Sequence, residues 1–307
     1  MTEECCSQVD LFEGEIRNIR WDTTGENVSQ NLHMIGLNPK MRETLLEYCD
    51  NMGITQIMKE VTIGSDDYEH QGEDALDVHT DIRLRGFDWY IQRADGVRWK
   101  SDMHWISPSD AIAEENFLEA FGQAGFDQVL ESVGVHFGYR HLAAYHLSII
   151  AVSHSDPGEM HVDCTNTGAK AINIIIPLIL ANDTGPELAV RDGMDKTKAG
   201  KYRYQYNVAP MLGDDAYHGT GAVDYSPRCE MRMAATLFVA DIDATNIGSI
   251  LDRFVCYPQA YPPASNPEIL LRTAGRHWDP NDPSKKLPTA AAPNLSLIHI
   301  SEPTRLR

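Results

Sequence analysis

The chain of 307 residues has no apolar run approaching 18 residues, so nothing in it reads as a membrane-spanning helix. Positive charge is scarce. Lys and Arg total 26 against 45 Asp and Glu, a formal net charge of −19, which argues against nucleic-acid or anionic-membrane partners. Cysteine is sparse and unpatterned: Cys5, Cys6, Cys49, Cys164, Cys229 and Cys256 form no C-x-x-C pair. That excludes a zinc ribbon and a dense disulfide framework, and fits reduced thiols in a cytoplasmic setting. The opening MTEECCSQVD is acidic and lacks the apolar stretch of a signal peptide, although loss of a targeting segment upstream would leave the same pattern. No internal repeat is visible. Apolar residues make up 42% and charged residues 23%, ordinary proportions for a globular chain that can close a core.

Five segments are expected. Residues 1–38 are polar and poorly periodic, and read as a poorly structured N-terminal segment. Residues 39–140 read as a buttress of helices and strands. A helix begins at Pro39 with Asn38 as its cap, and Met41, Leu45, Tyr48 and Met52 form its apolar stripe. An acidic loop over 64–80 precedes strand-like runs at 82–92 and 97–106, joined through Ala94-Asp95-Gly96. Ser107-Pro108-Ser109-Asp110 reads as the start of a helix, Gly122 and Gly125 as its break, and 127–133 as a second short helix.

Residues 141–256 change character. The runs 147–152, 172–180 and 233–240 are apolar and β-branched, and Tyr202, Tyr204 and Tyr206 alternate with polar residues as in a half-buried strand. This places the chain in the α+β class, with a β-sandwich or barrel in the second half. Residues 257–294 form a Pro-rich tail, nine of the sixteen prolines lying between Pro258 and Pro303. The last segment, LSLIHISEPTRLR (295–307), closely resembles a translated sequencing-adapter read-through and is expected to be a non-native tail.

The chemistry-bearing pattern is His-x-Asp, which on a strand sets an imidazole and a carboxylate on one face. With a distant second His it makes a triad that holds Fe(II) and leaves adjacent positions open. The pattern is weak alone, about one being expected by chance. It occurs at His79/Asp81, His154/Asp156, His161/Asp163 and His277/Asp279. The first lies in the acidic loop, the second runs into Pro157-Gly158, and the last sits in the Pro-rich tail. His161/Asp163 follows a strand and a turn, and His218 stands 55 residues after Asp163. Arg232, at the head of the 233–240 strand, would need an anion if it points into a barrel. His136, His141, His146 and His154 read as ordinary partly buried or surface histidines, and the tyrosine stripe as core packing.

These pieces, in the order MHVD, INIIIPLILANDTGPELAV, GDDAYHGTGAV and MRMAATLFVAD, resemble the core of the Fe(II)/2-oxoglutarate-dependent oxygenases, most of all the prolyl-hydroxylase and phytanoyl-hydroxylase branches. The resemblance covers roughly a third of the chain. It implies a double-stranded β-helix (jelly-roll, cupin-like) core buttressed by the N-terminal helices. It implies that His161, Asp163 and His218 bind Fe(II), and that Arg232 pairs with the distal carboxylate of 2-oxoglutarate. Arg228, ten residues after His218, is the rival for that role. The family often has Arg-x-Ser where this chain has Ala234, so Thr236 or a tyrosine would have to substitute. The presence of Asp163 disfavours the halogenase variant. The reaction implied is hydroxylation of an unidentified substrate by molecular oxygen, with release of succinate and CO2 and with ascorbate as a reductant. A cupin-like metal-binding or non-catalytic binding protein is the alternative, and a zinc hydrolase on the same ligands ranks below it.

Overall fold

The computed structural model describes residues 10–19, 32–63, 86–92, 103–108, 111–139, 142–155, 160–163, 170–181, 187–191, 199–213, 216–221, 223–225 and 230–241. The Pro-rich tail and the terminal LSLIHISEPTRLR lie outside them, as does the acidic loop.

Strands β1 (Ile16–Ile19) and β2 (Leu32–Gly36) are followed by helices α1 (Pro39–Asn51) and α2 (Ile54–Ile63). Strands β3 (Phe87–Gln92) and β4 (Met103–Pro108) lead to helices α3 (Ala111–Gln123) and α4 (Phe126–Phe137). Then come β5 (Leu142–Val152), β6 (His154–Ser155), β7 (Ala171–Ile179), β8 (Glu187–Arg191), β9 (Ala199–Arg203), β10 (Val208–Gly213), β11 (Tyr217–Thr220), β12 (Val223–Asp224) and β13 (Arg232–Asp241). The strands pair antiparallel in an eight-stranded sheet, β1-β2-β10-β7-β13-β5-β4-β3, a three-stranded sheet, β11-β8-β9, and the short β12-β6 pair. This is the expected α+β architecture with a double-stranded β-helix core.

The eight-stranded sheet has two buried faces. Ile174, Ile176, Met233, Ala235 and Leu237 face one core with the helices, where Met41, Leu45, Met58, Phe117, Phe121 and Val133 also lie. Ile150, Ile175, Leu212 and Ala234 face the other core, against Leu188, Val190 and Tyr202 of the small sheet. A strand covered on both sides reads as a continuous apolar run, which is why β7 and β13 carry Ile, Leu, Val and Ala without alternation. Each polar side chain in such a strand therefore stands against its surroundings.

The N-terminal region is more ordered than its composition suggests. Residues 1–38 contain β1 and β2, and β2 inserts all five residues into the core beside β10. Its run LHMIG buries His33 alongside the aliphatic residues, so polarity summed over the segment hid a two-sided buried strand. Helix α2, not anticipated, buries Ile54, Ile57 and Met58 just past the α1 terminus. Asn38 caps α1 as expected, its Oδ1 accepting from the Lys40 N–H at 2.9 Å. Met41 and Leu45 are buried with Cys49, while Tyr48 and Met52 are only partly so. The 97–106 expectation is shifted: β4 continues through Ser107 to Pro108, and the helix opens at Ala111. Ser107 is paired opposite Asp88 in the ladder, which overrides its tendency to start a helix. Helix α4 begins at Phe126 after Gly125 and runs to Phe137, beyond the expected 127–133.

Candidate metal centre

Strand β11 presents His218 to the chamber between the sheets. His161 stands opposite it in an isolated antiparallel bridge, each backbone N–H donating to the other's carbonyl at 2.8 Å. Directly opposed residues project to the same side of a ladder, so both imidazoles point the same way, their centroids 4.3 Å apart. The chain bends at Asp163 rather than continuing as a strand. Its Oδ1 lies 3.4 Å from Nε2 of His161 and 3.4 Å from Nε2 of His218. The possible ligand atoms of the three residues lie within 4.8 Å of one another. Neighbouring ligands of one ion with bonds of about 2.1 Å are separated by about 3 Å; the two 3.4 Å contacts to Asp163 are close to that, and the three residues could hold a single ion if the set draws together.

The tautomer of His218 follows from its partner. Its Nδ1 lies 2.9 Å from the Ala216 carbonyl, which can only accept, so Nδ1 carries the proton and Nε2 offers its lone pair. Burial pushes the Asp163 carboxyl up, but the two imidazoles outweigh burial and hold it well below the usual carboxylate range. Burial pushes His218 down, and the charge and hydrogen bond of Asp163 with the Ala216 contact turn the balance upward. The other carboxylate oxygen, Oδ2, accepts from Nδ2 of Asn173 on β7 at 2.6 Å, and Thr236 on β13 donates its hydroxyl to Oδ1 of Asn173 at 2.8 Å.

Arg232 opens β13 opposite Val152 and is only 2% exposed. Its guanidinium carbon lies 5.0 Å from the centroid of the Tyr204 ring. Its Nε and Nη1 find no acceptor among the described residues. A buried guanidinium is costly without a counter-charge, and the planar fork of arginine suits a carboxylate. Tyr204 is buried beside it: burial raises its phenol, Arg232 pulls it down and Asp163 pushes it up, so the ring senses both the cation and the carboxylate.

The structure thus brings together His161, Asp163 and His218, and places Arg232 with Tyr204 in the same interior. Arg228 lies outside the described residues. Thr236, one candidate to stand in for the missing serine at Ala234, gives its proton to Asn173. Tyr204 is the tyrosine that meets the guanidinium. Asn173 was not singled out from sequence, although an amide inside INIIIPLI was the available signal. His136 sits on α4 against Phe137 and His33, on the helix side of the sheet.

No family model matches the chain, and no curated protein does. Solved structures align with it at low similarity. One is a 2OG-Fe(II) oxygenase family oxidoreductase from Burkholderia pseudomallei, 15% identical over 57% of this chain and 82% of that one, with a TM-score of 0.41. A Pseudomonas putida prolyl-4-hydroxylase is 11% identical over 68% of this chain and 91% of that one, with a TM-score of 0.38. AviO1 from Streptomyces viridochromogenes is 10% identical over 70% and 92%, with a TM-score of 0.44. At such identities and scores, a functional reading has to rest on the site itself. Among the described residues no helix is long and apolar enough to cross a membrane.

Proposed function

We propose that this chain is an Fe(II)/2-oxoglutarate-dependent dioxygenase that hydroxylates a substrate still to be identified, with release of succinate and CO2. The observation that carries the reading is the pairing of two features in one interior. Two imidazoles and a carboxylate converge, and a buried arginine in the same interior has Nε and Nη1 without an acceptor among the described residues.

The donor set suits Fe(II), and Fe(II) with 2-oxoglutarate supplies oxidative chemistry at an unactivated C–H bond when bound. His161, Asp163 and His218 would hold the ion from one side, leaving the other side for the keto-acid end of the cosubstrate and for oxygen. Arg232 would receive the distal carboxylate and fix the orientation of 2-oxoglutarate, with Tyr204 flooring the guanidinium and adding its hydroxyl in place of the serine lost at Ala234. No described residue gives support for ascorbate.

The test is 2-oxoglutarate binding to the Fe(II)-loaded protein without oxygen, read by the visible metal–keto-acid charge-transfer band. Wild type should show the band, His161→Ala should lose it, and Arg232→Ala should need much more 2-oxoglutarate to reach it. Iron bound to wild type with no band would overturn the oxygenase reading in favour of a cupin-like metal-binding protein, which the Ala234 departure would then explain.

A further inference from the structure

We infer that Asn173, locked by Thr236, is a positioning residue that commits Asp163 to bind metal through Oδ1 alone. The inference rests on the metal-centre reading above.

A carboxylate can hold an ion with one oxygen or with both. Two-oxygen binding by Asp163 would consume a position that a cosubstrate or oxygen needs. In this chain Oδ2 accepts from the Asn173 amide at 2.6 Å, while Oδ1 sits 3.4 Å from each of the two imidazole nitrogens. A short charge-assisted bond of that kind fixes the plane of the carboxylate and occupies Oδ2.

The amide in turn has only one useful orientation. The Asp163 carboxylate can only accept, so Nδ2 must face it, and Oδ1 is thereby turned to Thr236, whose hydroxyl donates to it. A flipped amide would set its oxygen against the carboxylate oxygen and lose the bond to Asp163. Asn173 is 5% exposed and Thr236 1%, on adjacent strands in the middle of the eight-stranded sheet. Burying an amide among isoleucines is unfavourable unless both its ends are satisfied. Here one end is satisfied by the metal carboxylate and the other by the Thr236 hydroxyl. The relay therefore joins the centre of the major sheet to the ligand that the chain carries at a bend.

The experiment titrates Co2+ into the metal-free full chain and reads three quantities: affinity by chelator competition, the visible d–d spectrum, and the thermal midpoint before metal is added. Asn173→Ala should weaken Co2+ binding by about 10–100-fold and change the d–d spectrum. Thr236→Val, which keeps the volume and removes the hydroxyl, should shift affinity and spectrum in the same direction, and Thr236→Ser should restore both. Wild-type affinity and spectrum in both Asn173→Ala and Thr236→Val would overturn the positioning role. If Asn173→Ala does not fold, the Thr236→Val and Thr236→Ser pair decides by the same criterion. His161→Ala serves as the control on the site: Co2+ binding unchanged by His161→Ala would sink the metal-centre reading itself, whatever Asn173 does.

Discussion

Arg232 shows how a single side chain can demand a ligand. Its guanidinium is enclosed by β5, β13 and the Tyr204 ring, yet Nε and Nη1 have no acceptor among the described residues. Lysine at this position keeps the charge and loses the fork. We therefore expect Arg232→Lys to bind Fe(II) like wild type but 2-oxoglutarate about 1.5–3 kcal/mol more weakly, the scale of one hydrogen bond to a charged group. Isothermal titration of the anaerobic Fe(II) protein checks this, and unchanged affinity would show that the carboxylate sits elsewhere. His161, Asp163, His218 and Arg232 could be put forward from the His-x-Asp spacing, the histidine downstream and the family resemblance that those pieces carry. Asn173 could not, since one amide in a strand has no partner until the strands are placed side by side.

At the scale of elements, the site depends on strands that pack on both sides. Strands β7 and β13 lie next to each other and carry Asn173, Arg232 and Thr236 on one face, with Ile174, Ile176, Met233 and Leu237 on the other against the helices. Strand β2 supports this arrangement from the edge through β10. Its last residue, Gly36, donates to the Glu15 carbonyl at 2.9 Å and accepts from the Gly14 N–H at 2.9 Å. A β-carbon at Gly36 would overlap the Phe12 carbonyl, so the 10–15 segment would have to be pushed off the sheet. Gly36→Ala should therefore cost about 1–3 kcal/mol of stability, measured by urea unfolding, while leaving Co2+ affinity of the folded protein unchanged. This edge was not legible beforehand, because residues 1–38 look polar as a whole and only pairing with β10 reveals the buried run.

For the whole molecule, the paired charges at the centre set a pH window for the metal-free protein. Asp163 titrates below its ordinary value of 3.8, so its contribution is present above that value and is lost as pH falls through the lowered folded value. His218 titrates above its ordinary value of 6.5, so its contribution is full below 6.5 and is lost as pH rises through the raised folded value. Metal-free stability from this pair is therefore greatest between the two ordinary values. Asp163→Asn should flatten both flanks of the profile, as read by urea unfolding in chelator across pH. Metal binding runs the other way on the histidine flank, because a proton held on His218 competes with the ion and affinity rises with pH.

Composition and spacing alone determined the acidic, helix-then-strand character of the chain, the central apolar runs and the order of the candidate ligands. These are local matters: a two-sided strand must be apolar throughout. The tertiary structure decided which oxygen of Asp163 faces the histidines, that Tyr204 rather than Thr236 meets Arg232, and that Asn173 belongs to the site at all. Each of these turns on contacts between β7, β9, β11 and β13, and contacts between strands far apart in sequence leave no periodic trace in any one of them.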